Sequence, residues 1–148
     1  MKKLICALAA ALMLAGPAVA ETAITYTTDE TFDDVTFGIE SAIEGAGLVI
    51  DSVSHTGDML ERTREAAGSD VVLFTHADIY GFCSAKISRE VMEADITNVR
   101  FCPYHIFVYV RPETPDETVV GFNSFPEGPM KKVEALLDGI VRDALELD

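Results

Sequence analysis

Basic residues are scarce in this chain of 148 residues. Lys and Arg together number 11 against 25 Asp and Glu, which gives a formal net charge of −14 at pH 7. Nucleic acids and anionic membranes bind proteins through clustered cations that displace phosphate counterions. The shortage therefore argues against nucleic acid as a partner and favours a solvated acidic surface. Recruitment of cations or of a basic partner protein stays open.

Several motifs that carry chemistry are also missing. The sequence has no Cys-x-x-Cys pair, no Cys-x-x-Cys-His haem attachment site and no His-x-x-x-His metal spacing. It has neither a Gly-x-Ser-x-Gly nucleophile elbow nor a glycine-rich phosphate loop. A non-enzymatic protein is therefore favoured over an enzyme, no catalytic residue is assigned, and the cofactor stays unknown.

Long apolar runs are absent except at the N-terminus. There Lys2 and Lys3 precede an apolar run over residues 4–14, followed by Gly, Pro and the small residues 18–20. The run is too short to cross a bilayer. The order of basic, apolar and small residues predicts a secretory signal peptide over residues 1–20, cleaved between Ala20 and Glu21. The alternative is an N-terminal membrane anchor.

Cleavage at this site would leave residues 21–148 as a single periplasmic or secreted domain. Its 9 basic residues against 25 acidic ones give it a formal charge of −16. No later run is apolar enough to span a bilayer, so we expect no stable membrane insertion after cleavage.

The apolar spacing after the signal peptide alternates between strand and helix periods. Strands are predicted over residues 23–28, 48–55, 71–77, 101–111 and 118–123, and helices over 32–46, 57–67, 84–95 and 130–147. Residues 80–83 and 111–116 are predicted turns. The nearly continuous apolar run at 71–77 is typical of a central strand. This order predicts an α/β (α+β) two-layer sandwich, with a mixed or mostly antiparallel sheet covered by helices.

Several of these segments resemble a known family. They are a helix end reading GAGLVI (45–50), a strand end SHT (54–56), the run VVLF (71–74), and Pro103 followed by IFVYV (106–110). With the long closing helix, the pattern resembles the domain-of-unknown-function 302 family over nearly the whole mature chain. The resemblance implies a small two-layer fold and homodimers, but no established reaction. Cys83 and Cys102 are unusual for that family and would mark a secreted subgroup.

Cys83 and Cys102 are the two cysteines that would remain after signal cleavage. An even number of cysteines in an oxidising compartment predicts a disulfide, here closing a loop of about 20 residues, which stabilises by roughly 3 kcal/mol in the chain-entropy model. The alternatives are a redox-active pair or two thiolate metal ligands.

The three histidines are His55, His76 and His105. Strand alternation places His105 on the face opposite Cys102, together with Phe107 and Tyr109. If two or three of the histidines meet, a site with nitrogen and sulfur ligands for copper, zinc or haem iron becomes possible. The alternative for each is an ordinary strand-end or partly buried histidine.

The leading functional hypothesis is a non-enzymatic periplasmic binding or accessory protein. It would form a homodimer, for which the hairpin of the last two strands would offer a free edge. A small apolar or metal-containing ligand would bind between sheet and helices. The alternative is a thiol/disulfide redox protein or enzyme that uses Cys83 and Cys102, and a third reading is a structural interaction module.

Overall fold

The computed structural model describes residues 22–147, so the expected signal peptide and its cleavage site lie outside the described residues. The described strands are β1 (Ala23–Thr28), β2 (Ile50–Ser54), β3 (His76–Phe82), β4 (Tyr104–Arg111) and β5 (Thr114–Asn123). The described helices are α1 (Phe32–Gly45), α2 (Thr56–Thr63), α3 (Ala85–Ala94) and α4 (Lys131–Ala144), with a 3₁₀ helix at Ile96–Phe101. None of these helices has the length and apolar character needed to cross a bilayer.

The five strands form one sheet in the order β1-β5-β4-β3-β2, and every neighbouring pair is antiparallel. Helices α1 and α4 pack against each other and against strands β4 and β5. The predicted two-layer α+β sandwich is therefore confirmed. The β4–β5 hairpin lies in the interior of the sheet, so it offers no free edge for dimerisation; the edge strands are β1 and β2.

The helices form where local signals predict them. Thr31 caps α1, since its hydroxyl accepts a hydrogen bond from the Asp34 amide at 3.2 Å. One apolar stripe of α1 and one of α4 are buried against the sheet: Val35, Ile39, Ala42 and Ile43 on α1, and Val133, Leu137, Ile140 and Val141 on α4. These side chains share one core with the inward-facing Tyr104, Ile106 and Val108 of β4. The layer between sheet and helices is thus filled by side chains.

The predicted strand at 71–77 is wrong. Strand β3 begins at His76, and the predicted turn at 80–83 lies mostly within this strand. The reason is the register, which pairs His76 with Val110 near the end of β4. Residues 71–74 therefore project past the end of the neighbouring strand and have nothing to pair with. Val71, Val72 and Leu73 are 62%, 42% and 52% exposed, so this apolar run lies on the surface of the protein.

Candidate functional site

Cys83 and Cys102 come together as the sequence predicts. Their Cα atoms are 6.2 Å apart and their sulfur atoms lie within bonding distance. Cys83 directly follows β3, whereas Cys102 follows the 3₁₀ helix, so the pair encloses α3. A buried hydrogen bond of 2.9 Å between the hydroxyls of Ser88 and Tyr104 joins α3 to β4 in the same region. This position indicates that the pair holds α3 against the sheet.

The three histidines do not form one site. His105 lies opposite Gly81, while His76 lies opposite Val110, so the two are five residues apart along the β3–β4 pair, about 17 Å. They also point to opposite faces of the sheet, because their positions on the paired strands have opposite parity. Within residues 22–147, no group of three or more His, Cys, Asp and Glu side chains is placed to hold a metal ion.

His55 forms an ion pair that the sequence did not reveal. Its Nδ1 lies 2.9 Å from a carboxylate oxygen of Asp78, since β2 ends beside β3. The hydrogen bond to Asp78 and the charge of this carboxylate raise the pKa of His55. A base oriented by a carboxylate needs a nucleophile for covalent catalysis. In the described part of the chain His55 has no hydrogen bond to a serine, threonine or cysteine side chain, so the pair is not a catalytic triad.

A surface groove of about 310 Å³ lies beside Cys102. Its lining combines four apolar or aromatic side chains with four polar ones: Phe101, Pro103, Tyr104 and Phe125, and Arg100, His105, Asn123 and Ser124. We call it the Arg100 groove. A second groove of about 330 Å³, at the opposite end of the sheet, contains His76 together with Asp29, Glu30, Asp33 and Asp116. The Arg100 groove differs because no carboxylate lines it.

Arg100 is fixed in place within this groove. Its Nη1 donates hydrogen bonds to the Thr97 carbonyl at 3.1 Å and to the Thr97 hydroxyl at 2.9 Å. The guanidinium lies over the Phe101 ring, 4.4 Å from the ring centre. Thr97 is itself held by Asp95, whose pKa is lowered by its hydrogen bonds to Thr97. No sequence motif marked Arg100: its own contacts are local, but the other wall of the groove, residues 123–125, comes from a distant part of the chain.

A second surface is the face of the sheet opposite helices α1 and α4, which we call the outer face. Strand pairing places alternate residues on it, including His105, Phe107 and Tyr109 as the sequence predicted. Its other paired positions are Ala23, Thr25, Thr27, Ser52, Ser54, Ala77, Ile79, Gly81, Arg111, Thr114, Val119, Gly121 and Asn123. None of these paired positions carries a carboxylate, although the chain has 25 acidic residues.

Three aromatic rings run along this outer face and form what we call the aromatic stripe. Phe74 lies 5.5 Å from Tyr109, and Tyr109 stacks on Phe107 with ring centres 6.1 Å apart. Beside them, Val119 is almost fully buried, and the Phe107 ring lies over Gly121. The exposed run at 71–73 continues the stripe beyond the sheet. Contiguous apolar surface of this kind marks interaction sites in soluble proteins.

The fold and these two surfaces define a small α+β sandwich protein with an apolar sheet face and a cationic groove. Residues 24–142 match the family model described as "Domain of unknown function DUF302", so the chain belongs to this family and the resemblance in the sequence is confirmed at that level.

Among solved structures, the chain is similar to that titled "Crystal structure of uncharacterized conserved protein DUF302 from Bacillus stearothermophilus", with 15% identity and a TM-score of 0.56. The alignment covers 84% of this chain and 88% of that one. At this identity the similarity shows the fold alone. No curated protein matches the sequence.

Proposed function

We propose that this protein is a non-enzymatic binding or accessory protein that acts outside the cytoplasm as a homodimer, and that two copies associate through the aromatic stripe. The observation that supports this most is the aromatic stripe on the outer face, together with the absence of carboxylates from the paired positions of that face. The sheet face opposite a helical layer is commonly polar and solvated. Aromatic side chains in its place favour a partner that covers them.

Charge favours a second copy as that partner. A chain with a formal charge of −14 repels an identical chain wherever carboxylates face each other. A two-fold symmetric contact brings the same surface of both copies together, so it needs a surface without like charges. The paired positions of the outer face carry no carboxylate, so the acidic residues of two copies do not oppose each other there. The arginine of this face, Arg111, lies at the end of β4. The homodimers implied by the family resemblance agree with this arrangement.

The dimer proposal is tested by measuring the mass of residues 21–148 in solution by light scattering. We expect a dimer for the wild type and a monomer for Tyr109→Asp, because this change places two carboxylates opposite each other in the contact. The matched control is Phe37→Asp, which changes an aromatic residue that is 72% exposed on α1 and should leave the dimer intact.

Two results would contradict the dimer proposal. One is a wild-type monomer at about 100 μM, a concentration well above the micromolar dissociation constants common for specific complexes. The other is a folded Tyr109→Asp variant that remains a dimer. Leu73→Asp, in the exposed run beside the stripe, provides a second variant if Tyr109→Asp does not fold.

Export is the second part of the proposal. It is supported by the two lysines, the apolar run and the small residues that precede Glu21. Mass spectrometry of protein recovered from the periplasm or medium should show Glu21 as the first residue. A recovered chain that keeps residues 1–20 would contradict it. Export would also place the cysteine pair in an oxidising compartment and support the secreted, cysteine-containing subgroup.

A structural role for Cys83 and Cys102 is favoured over thiol/disulfide redox chemistry. Redox-active pairs commonly lie close together in the sequence, as in Cys-x-x-Cys, whereas these two cysteines are 19 positions apart. Both cysteines are also half-buried, and Cys102 packs against the hydrophobic core.

A further inference from the structure

We infer that the Arg100 groove binds a small organic anion with a flat apolar body, of the class of aromatic carboxylates. This inference rests on the proposal that the protein is a binding protein, and it names the class of ligand and the place where it binds. The groove volume of about 310 Å³ is at the lower end of the range of small-molecule sites. A compact ligand therefore fits it best.

The charge of the groove indicates an anion. Arg100 and His105 line it without a carboxylate among the lining residues. Arg100 makes no ion pair within residues 22–147. Glu134 hydrogen-bonds to the backbone of Phe125, but the ammonium of Lys131 already neutralises it at 2.9 Å. The carboxylate of Asp95 interacts with the Arg100 charge but is hydrogen-bonded to Thr97. The charge of Arg100 is therefore only partly compensated beside the groove.

The geometry of Arg100 favours a carboxylate. Only Nη1 of its guanidinium is used by Thr97, which leaves the other N–H donors for a ligand. Two parallel donors of a guanidinium match the two oxygens of a carboxylate. Because Thr97 and the Phe101 ring already hold the side chain, little conformational entropy is lost when a ligand binds.

The apolar floor of the groove favours an aromatic body on that anion. Phe125 contacts Phe101 and Tyr104 edge to face, with ring centres 5.6 Å and 6.2 Å apart. Tyr104 and Phe125 are almost fully buried, so the half-buried Phe101 ring is the apolar surface against which a flat ring can pack. The polar side chains of Asn123 and Ser124 on the β5 side add hydrogen-bonding groups at the rim.

The test is a calorimetric or NMR titration of residues 21–148 with benzoate, and with benzamide as a neutral ligand of the same shape. We expect saturable benzoate binding that is about tenfold or more tighter than that of benzamide, because a charge-assisted hydrogen bond is lost with the carboxylate. Arg100→Gln should weaken benzoate by a similar factor. Arg89→Gln, at an exposed arginine paired with Glu93 on α3, should leave the affinity unchanged.

Three outcomes would overturn the inference. They are no saturable binding up to about 10 mM benzoate, equal affinity for benzoate and benzamide, and unchanged affinity in a folded Arg100→Gln variant. Inorganic phosphate that competes as well as benzoate would refute the role of the apolar floor. If Arg100→Gln does not fold, His105→Gln takes its place and should weaken benzoate severalfold.

The inference is separable from the dimer proposal. Tyr109→Asp, which is designed to produce monomers, should bind benzoate as the wild type does. A wild-type protein that is monomeric but binds benzoate would refute the dimer alone, and a wild-type dimer that does not bind benzoate would refute the ligand class alone.

Discussion

Removing the link between Cys83 and Cys102 should destabilise the protein strongly. The two residues are 19 positions apart, so the bond closes a loop of about 20 residues in the unfolded chain. In the chain-entropy model this lowers the entropy of the unfolded state by about 11 cal/mol/K, or about 3 kcal/mol at 25 °C. Since small domains are stable by only about 5–15 kcal/mol, this loss is a large share of the total and corresponds to about 10 °C in Tm.

Urea unfolding followed by circular dichroism measures this loss directly. The wild type should lose about 3 kcal/mol when a reductant is added, whereas a Cys83→Ala/Cys102→Ala variant should be equally weak with and without it. That variant is the matched control, because it separates the crosslink from other effects of the reductant. The wild-type sheet and α1 should keep their structure after reduction.

Two results would refute this reasoning. Two free thiols per chain in unfolded, unreduced protein would show that the bond is absent. A free energy of unfolding that changes by less than about 1 kcal/mol on reduction would show that the loop-closure estimate does not hold for this chain.

Two further predictions concern the sheet. Gly121→Ala should cost about 1–3 kcal/mol of stability in urea unfolding, because its Cβ would meet the Ile24 carbonyl and lie 2.8 Å from the Phe107 ring; a wild-type stability would contradict this contact. Asp78→Asn should return the raised pKa of His55 toward its ordinary value in an NMR titration. A raised pKa favours the charged imidazole in the folded state. The contribution of the His55–Asp78 pair to folding stability is therefore present below about pH 6.5 and is lost as the pH rises through the folded pKa. An unchanged pKa of His55 in the variant would contradict the pair.

The helices could be predicted because their signals are local. In α1 the capping Thr31, the acidic first turn and the apolar spacing all lie within the helix itself or one residue before it. The long apolar stripe of α4 has the same property. Such signals stay valid whatever the helix packs against, which explains why α1, predicted over 32–46, is observed at Phe32–Gly45. Helix α2, predicted over 57–67, ends at Thr63, and α4, predicted over 130–147, ends at Ala144.

The register of β3 could not be predicted, because pairing depends on residues far away in the chain. The run at 71–74 has the composition of a buried strand, but the end of β4 decides that it remains unpaired. An apolar run by itself does not distinguish a buried strand from an exposed binding segment. The sequence likewise predicted a free edge at the hairpin, whereas β1 pairs with β5 and occupies that edge.

The candidate site was predictable only in part, for the same reason. The cysteine pair followed from the number of cysteines and the expected compartment, neither of which requires a contact map. The His55–Asp78 pair depends on how β2 meets β3, a register that no local pattern specifies. The groove beside Arg100 is completed by side chains at the end of β5, more than 20 residues later in the sequence.

Local charge, rather than net charge, decides what this acidic protein can bind. At physiological ionic strength, exposed charges are largely screened beyond about 8 Å, so distant carboxylates have little effect on a ligand in the Arg100 groove. Because the formal charge is −14, most of the surface repels nucleic acid and other copies of the chain. The two exceptions are the groove, which Arg100 lines without a lining carboxylate, and the paired positions of the outer face, which include Phe107 and Tyr109 but no carboxylate. A small anion and a second copy are therefore compatible partners of the same acidic protein.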